Sequence, residues 1–135
     1  MAEAEQGACI WYPASVTIFD STFEAMLNEV SVIISHFAGL EAARRFEHLI
    51  QKIGAAEPTN PHCEVFFIGL QKEARGKGIG GSLLKPVLNY ADTNKVGCYL
   101  VSSSSRNISF YERHGFKKYC SIQINDSYSM TGMWR

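Results

Sequence analysis

Four glycines lie within six residues, and this cluster constrains the fold more than any other feature of the sequence. They occur in the run Arg75-Gly76-Lys77-Gly78-Ile79-Gly80-Gly81. Residues 65–68 before the cluster are Val-Phe-Phe-Ile, the centre of an apolar run that predicts a strand buried on both faces. After the cluster, apolar residues recur with helical spacing from Ile79 to Ala91. The segment therefore predicts a strand, a glycine loop and a helix, in that order.

The rest of the chain predicts a mixed α/β (α+β) domain around this unit. Further elements are predicted as strands at 8–12, 97–101, 116–124 and 128–134, and as helices beginning at Ser21 and spanning 40–53 and 107–114. Ser21 with Glu24 fits a capping box, and Gly54 is expected to stop the second helix. Residues 125–127 (Asn-Asp-Ser) predict the turn of a C-terminal antiparallel hairpin. We expect one domain over residues 1–135.

Composition excludes several classes of protein. The 135 residues are 46% hydrophobic and carry no formal net charge, which disfavours disorder and nucleic-acid binding. No apolar stretch reaches the roughly 18 residues needed to cross a bilayer, so no membrane partner is expected. Residues 1–6 are acidic and lack the basic-then-apolar order of a signal peptide. These features predict a cytoplasmic protein.

The four cysteines predict reduced thiols rather than disulfides or a metal site. Cys9, Cys63, Cys98 and Cys120 are far apart and form no C-x-x-C pair. Without an export signal, we expect four buried, reduced thiols. A zinc site would need clustered Cys and His, and only His62 with Cys63 are adjacent, so no metal is predicted.

The glycine loop predicts a site for phosphate oxygens. Glycines leave backbone N–H groups unobstructed, and the following helix directs the positive end of its dipole to the same place. A dinucleotide fingerprint requires the glycines directly after the strand and an acid at the end of the next strand. Here five residues, four of them polar, intervene, and that strand ends in Val101-Ser102. A P-loop requires a Lys-Ser or Lys-Thr pair that is absent.

Two motifs resemble one known family. Arg75-x-x-Gly78-x-Gly80 resembles the R/Q-x-x-G-x-G/A signature of the GNAT superfamily of acyl-CoA N-acyltransferases. Asn107 with the run 110–116 (Phe-Tyr-Glu-Arg-His-Gly-Phe) resembles its second motif. The order of the elements also fits, and the resemblance covers residues 61–135 well. It implies a central mixed sheet with two splayed parallel strands and flanking helices.

The resemblance further implies that acetyl-CoA is the acyl donor. The pyrophosphate would be held by the glycine-loop residues Arg75, Gly76, Lys77, Gly78, Ile79 and Gly80, with Ser82 as a further contact. Pantetheine would lie between the splayed strands, beside Ile68 and Leu70. Asn107 would contact the coenzyme, or serve only as the N-cap of its helix. Tyr111 would protonate the departing thiolate, or only pack beside Phe110.

The general base is the least determined part of the site. Glu64, on the strand that enters the loop, is the candidate, and its alternative is a strand-end carboxylate in water. Acids common in related sequences at the positions matching Phe66 and Val101 are absent.

We therefore predict a GNAT-like N-acetyltransferase acting on a primary amine of a small molecule or peptide. The alternative is a non-catalytic, regulatory coenzyme-A-binding module. Members of the family usually carry a strand and helices ahead of the segment matching residues 8–12. The uncovered sheet edge expected here predicts a homodimer.

Overall fold

A computed structural model describes residues 6–135 of the chain, and the acidic residues 1–5 lie outside the described part. The strands are β1 (Gly7–Tyr12), β2 (His62–Leu70), β3 (Gly97–Ser102), β4 (Lys117–Asn125) and β5 (Tyr128–Trp134). The helices are α1 (Ser21–Ala38), α2 (Leu40–Ala55), α3 (Ile79–Asn94) and α4 (Ile108–Glu112). Short 3₁₀ turns span Lys72–Ala74 and Ser105–Asn107. The predicted mixed α/β class and C-terminal hairpin are confirmed.

The sheet has the strand order β1-β2-β3-β5-β4. Only β2 and β3 are parallel, and α3 connects them. Their pairing runs from His62 and Gly97 to Val65 and Leu100. Beyond Val65, β2 continues to Leu70 without β3 and stays paired with β1 on its other side. The two parallel strands therefore part half-way along β2, as the resemblance implied.

A bulge at Phe66 changes which way β2 presents its side chains. Ile10 of β1 pairs with Phe67 and the next residue, Trp11, pairs with Val65, so Phe66 has no partner on β1. An extra residue of this kind reverses the alternation of a strand. Ile68 beyond the bulge packs against the same core as Val65, whereas Phe67 is 62% exposed. The prediction that residues 65–68 are buried on both faces was wrong for Phe67, because the bulge turns that ring away from α3.

The main core lies between the sheet and α3. Its buried members are Cys63, Val65, Leu84, Val87, Ala91, Cys98, Leu100, Tyr111, Phe116 and Met133. α1 lies on the opposite face of the sheet, where Phe23 contacts Phe66 edge-on at 6.0 Å between ring centroids. α3 and α1 thus cover opposite faces of the sheet. Each helix buries its apolar side against the sheet, and this burial stabilises an amphipathic helix in water.

Three local predictions were wrong. The N-cap of α1 is Asp20, not Ser21, because its carboxylate accepts the Phe23 N–H at 2.9 Å. α2 continues through Gly54 to Ala55, and Gly54 packs against the Phe19 ring. All four cysteines are free, but only two are fully buried, since Cys9 and Cys120 are half-buried. The described residues include no helix whose length and apolar content would allow it to cross a bilayer.

Gly97 is expected to be required by packing at the start of β3. A Cβ there would overlap the Trp134 indole, whereas one at Gly69 would meet nothing within 4 Å. We expect Gly97→Ala to lower the free energy of unfolding by about 1–3 kcal/mol, a typical cost of overpacking. Gly69→Ala, the control, should change it by less than about 1 kcal/mol. Urea denaturation of both variants measures this, and equal stabilities would contradict the packing described.

Candidate active site

A cavity of about 710 Å³ opens beside the part of β2 that has left β3. It is bounded by the end of β2, the glycine loop with the start of α3, and the segment around α4. Its lining residues are Ile68, Gly69, Leu70, Arg75, Gly76, Gly78, Ile79, Gly80, Gly81, Ser104, Arg106, Asn107, Phe110, Tyr111, Arg113 and His114. Most residues predicted from the two motifs therefore meet at one cavity.

The backbone of the loop explains two of its glycines. Gly76 and Gly78 have φ angles of 75° and 79°, in the left-handed region that other residues enter only at a cost. A Cβ at either position would meet nothing within 4 Å. The glycines are thus required by the turn rather than by crowding, and the space above them is open to a ligand.

The N–H groups from Gly76 to Gly81 donate to no acceptor within residues 6–135. The first N–H after them that is paired belongs to Ser82, which donates to the Gly78 carbonyl at 3.2 Å. These six consecutive donors lie at the start of a 16-residue helix whose first turn contains no acidic side chain. The free donors and the positive end of the helix dipole together suit an anion such as a phosphate.

The charged side chains around the cavity are basic. Arg75, Arg106 and Arg113 line it, and no carboxylate does. Guanidinium groups bind phosphate oxygens with paired, charge-assisted hydrogen bonds. Lys77 and Ser82, also predicted from the motif, are exposed beside the cavity and do not line it. The Ser82 hydroxyl instead donates to the Gly78 carbonyl at 3.4 Å.

Tyr111 is both a core residue and part of the cavity wall. Its ring is buried between Phe110 and Phe116, at centroid distances of 5.2 and 6.0 Å. Burial, with a smaller contribution from Cys9, raises the pKa of its phenol above the usual value. The hydroxyl is therefore protonated at neutral pH and can act as a proton donor. Tyr111 therefore packs beside Phe110, as the alternative interpretation expected, and it also lines the cavity.

Asn107 lines the cavity and also occupies the N-cap position of α4. Its side chain makes no capping hydrogen bond to α4. The Ser104 hydroxyl instead accepts the Arg106 N–H at 3.3 Å, at the start of the preceding 3₁₀ turn. The Asn107 amide, exposed at the rim, is thus free to contact a ligand.

Glu64 lies away from this cavity, on the opposite face of the sheet. It alternates with Cys63 and Val65, which face α3, and it lines a pocket of about 190 Å³ together with Tyr12, Glu57 and His62. Only 5% of Glu64 is exposed, so the alternative of a strand-end carboxylate in water is wrong. Burial, and to a lesser extent the charge of Glu57, raise the pKa of Glu64 to about 8.

Glu64 is nevertheless close to the point where the strands separate. It pairs with Tyr99 of β3, one residue before the last pair, Val65 and Leu100. The cavity and the small pocket thus lie on opposite faces of the sheet, and Glu64 precedes the cavity residue Ile68 by four positions on β2.

Several cavity residues were missed at the sequence level. Arg106 lies outside both motifs, and Arg113 and His114 lie within the second motif but were not predicted as site residues, although all three line the cavity. His114 packs on the Phe110 ring at 4.7 Å and bonds through Nδ1 to the Phe110 carbonyl at 2.8 Å. His114 lies seven residues after Asn107, with Phe110 and Tyr111 between them, and this spacing is typical of one face of a helix. The spacing could therefore have indicated that His114 lies beside Asn107 and Tyr111.

Comparison with known proteins identifies the family. Residues 35–118 match the sequence profile of the acetyltransferase (GNAT) domain. The match extends from the end of α1 to the start of β4, and so includes both motifs and the cavity. The chain belongs to the GNAT acetyltransferase family.

Solved structures share the GNAT fold. Polyamine N-acetyltransferase of Drosophila melanogaster is 15% identical, with a TM-score of 0.65 over 100% of this chain and 71% of that one. Naa50 of Arabidopsis thaliana, in complex with the bisubstrate analogue CoA-Ac-MVNAL, is 25% identical, with a TM-score of 0.50 over 55% of this chain and 54% of that one. A histone acetyltransferase HPA2-related protein of Corynebacterium glutamicum is 29% identical, with a TM-score of 0.51 over 58% and 43%. This chain therefore spans about half the length of the last two proteins.

Proposed function

We propose that the chain is an acetyl-CoA-dependent N-acetyltransferase that acetylates a primary amine by direct attack. The observation that supports this most strongly is the shared cavity of the glycine loop and Tyr111. Unpaired backbone donors of the glycine loop, three arginines and a protonated phenol lie around one space that no carboxylate lines. That combination suits a polyanionic thioester with a basic leaving group.

Different residues around the cavity bind different parts of the donor. The free loop N–H groups that begin at Gly76, together with the Arg75 guanidinium, hold the pyrophosphate, and Arg106 and Arg113 add positive charge around the α4 segment. Ile68 and Leu70, on the unpaired half of β2, form an apolar wall for pantetheine. Asn107 contacts the coenzyme from the rim, while Lys77 and Ser82 contribute from outside the cavity. Acetyl-CoA supplies the activated acyl group, and the protein supplies its orientation.

Two proton transfers accompany the reaction. The N–C bond forms as the C–S bond breaks, so the amine loses one proton and the sulfur gains one. Tyr111 donates to the sulfur from the cavity side. Glu64 takes the proton of the amine from the opposite face of the sheet, where it lines the second pocket. Donor and acceptor thus approach the strand separation from different sides, as direct attack requires.

The acceptor is a primary amine of a small molecule or a peptide. The Drosophila relative is named for polyamines, and the Arabidopsis relative binds an analogue that joins CoA to a peptide. The formal charge of this chain is zero, so composition favours neither class. We place the reaction in the cytoplasm.

A second function, coenzyme A binding without transfer, is favoured by one observation. Glu64 does not line the cavity that contains Tyr111. A chain that binds the donor but has no base at the attacked carbon would be a regulatory module.

Gly78→Glu is expected to weaken acetyl-CoA binding by about tenfold or more. The substitution strains a left-handed backbone position and places a negative charge among the phosphate donors, a cost of about 1.4 kcal/mol or more. Gly39→Glu is the matched control, because Gly39 has a similar φ of 88° and open space but lies between α1 and α2. Calorimetric titration with acetyl-CoA, with NAD and ATP as comparisons, measures the effect. Absence of acetyl-CoA binding by the folded wild type would overturn the proposal.

Tyr111→Phe is expected to reduce kcat by on the order of 100-fold while the affinity for acetyl-CoA is kept, because only the proton donor is removed. Glu64→Gln should show the same split, since Glu64 lies outside the donor cavity. Thiol release with a panel of peptides and small amines measures the rate, and calorimetry measures the affinity. Tyr119→Phe, at an exposed tyrosine of β4, is the control. Acetyl-CoA binding without release of thiol for any amine would favour the regulatory module.

We also propose that the chain forms a homodimer through β1. This strand is at the edge of the sheet, contains neither charge nor proline, and exposes 52% of Ile10. Edge strands that lack charged residues and proline pair readily with another chain. Light scattering should give about twice 15.1 kDa for the wild type and the monomer mass for Ile10→Lys. Val16→Lys, at an exposed site beyond β1, should remain dimeric, and a monomeric wild type would refute the dimer.

A further inference from the structure

Three side chains outside the donor cavity converge in the small pocket near the start of β2. Glu57, His62 and Glu64 each place one donor atom so that all three lie within 4.8 Å of one another. His62 and Glu64 are two residues apart on β2 and so share one face of the sheet, and Glu57 lies in the loop after α2. The sequence did not predict this group, because the pattern typical of a zinc site is clustered cysteines and histidines, whereas two of these three residues are glutamates.

Glu64 provides the first indication of an absent ligand. Its side chain is more than nine-tenths buried, and its Oε2 has no hydrogen-bond partner within residues 6–135. Buried carboxylate oxygens without a donor are rare because they lose their hydration without replacement. A cation bound between the three side chains would supply the missing partner.

His62 provides the second indication. Its Nδ1 lies 2.6 Å from the Asn60 carbonyl oxygen, which can only accept, so Nδ1 carries the proton. In the neutral ring, the lone pair is then on Nε2, which lies 3.7 Å from Glu57 Oε1. Histidine ligands of metals typically have this arrangement, with the second nitrogen donating to a backbone carbonyl.

We propose that Glu57, His62 and Glu64 form a binding site for a divalent transition-metal ion, best suited to zinc. Imidazole nitrogen and carboxylate oxygen are both ligands that zinc accepts, and three protein ligands leave a fourth position for water. Ligand atoms around a tetrahedral zinc ion are about 3.3 Å apart, given bonds of about 2 Å. The atoms of the group, all within 4.8 Å of one another, must therefore close by at most about 1.5 Å, and half-buried Glu57 is the most exposed of the three side chains.

Zinc in this site inhibits acetyl transfer. This consequence rests on the proposed function, in which Glu64 takes the proton of the attacking amine. A carboxylate held by zinc no longer accepts that proton. The site thereby gives the chain a metal-sensitive control of the acceptor side, while the donor cavity on the other face is unaffected.

The binding test uses zinc chloride and the full chain, previously treated with a chelator and kept reduced. Calorimetry should give one zinc ion per chain for the wild type, and affinities at least tenfold weaker for Glu57→Gln and His62→Asn. Glu41→Gln and His36→Asn, at exposed residues outside the group, are matched controls that should bind like the wild type. His62 also contacts Tyr99 and Trp134, so circular dichroism must show that its variant is folded. The conservative substitution Glu57→Gln tests the site independently of whether the His62 variant folds.

A folded wild type that binds no zinc would overturn the site. So would equal affinities in the Glu57 and control variants, because the ion would then be bound elsewhere, for example by the cysteines. Zinc should also suppress thiol release by the wild type, with recovery on chelation, and suppress it much less in Glu57→Gln. Zinc binding with the expected variant pattern but unchanged transfer would keep the site and refute the role of Glu64 as base. The binding test needs no acceptor, so it decides the metal site even if transfer itself fails.

Discussion

The separation of β2 from β3 beyond Val65 and Leu100 is the constraint on which the rest of the site depends. Parallel strands that part lose their mutual hydrogen bonds, and each backbone group left without a partner costs free energy unless a ligand, water or another strand replaces it. β2 keeps its pairing with β1 from Glu64 to Leu70, so the half that has left β3 is still held in the sheet on its other side. The bulge at Phe66 then directs Ile68 and Leu70 into the cavity and places Phe67 on the other face. One irregular residue thus decides which side chains meet the ligand.

The glycine loop completes the cavity with backbone groups rather than side chains. Its unpaired N–H donors lie at the start of α3, where Gly76 and Gly78 adopt left-handed angles. Arg106 and Arg113 around the α4 segment add to the charge of Arg75 in the loop. The site is therefore assembled from a helix end and a short helical turn, both anchored in the core through Leu84 and Tyr111. This anchoring holds the donors in place before a ligand arrives.

The two faces of the sheet have different electrostatic character at the point where the strands part. Basic groups line the cavity on the α3 side, whereas Glu57 and Glu64 lie in the pocket on the other side. Burial makes Glu64 costly to ionise, which explains why its pKa is raised to about 8. A polyanionic donor on one face and a cationic amine or metal ion on the other match this division of charge.

The sequence by itself determined the element order, the mixed α/β class and the glycine loop, because these depend on local patterns: apolar periodicity, turn residues and glycine conformation. It also predicted Asn107 and Tyr111, whose spacing from Gly115 is a short-range motif. Only the tertiary structure decided that Phe67 is exposed and that Glu64 is buried on the far face. Each of these depends on register, on a bulge or on packing between distant segments. Glu57 and His62 meet Glu64 for the same reason, since residues brought together by the loop after α2 and by β2 share no local pattern.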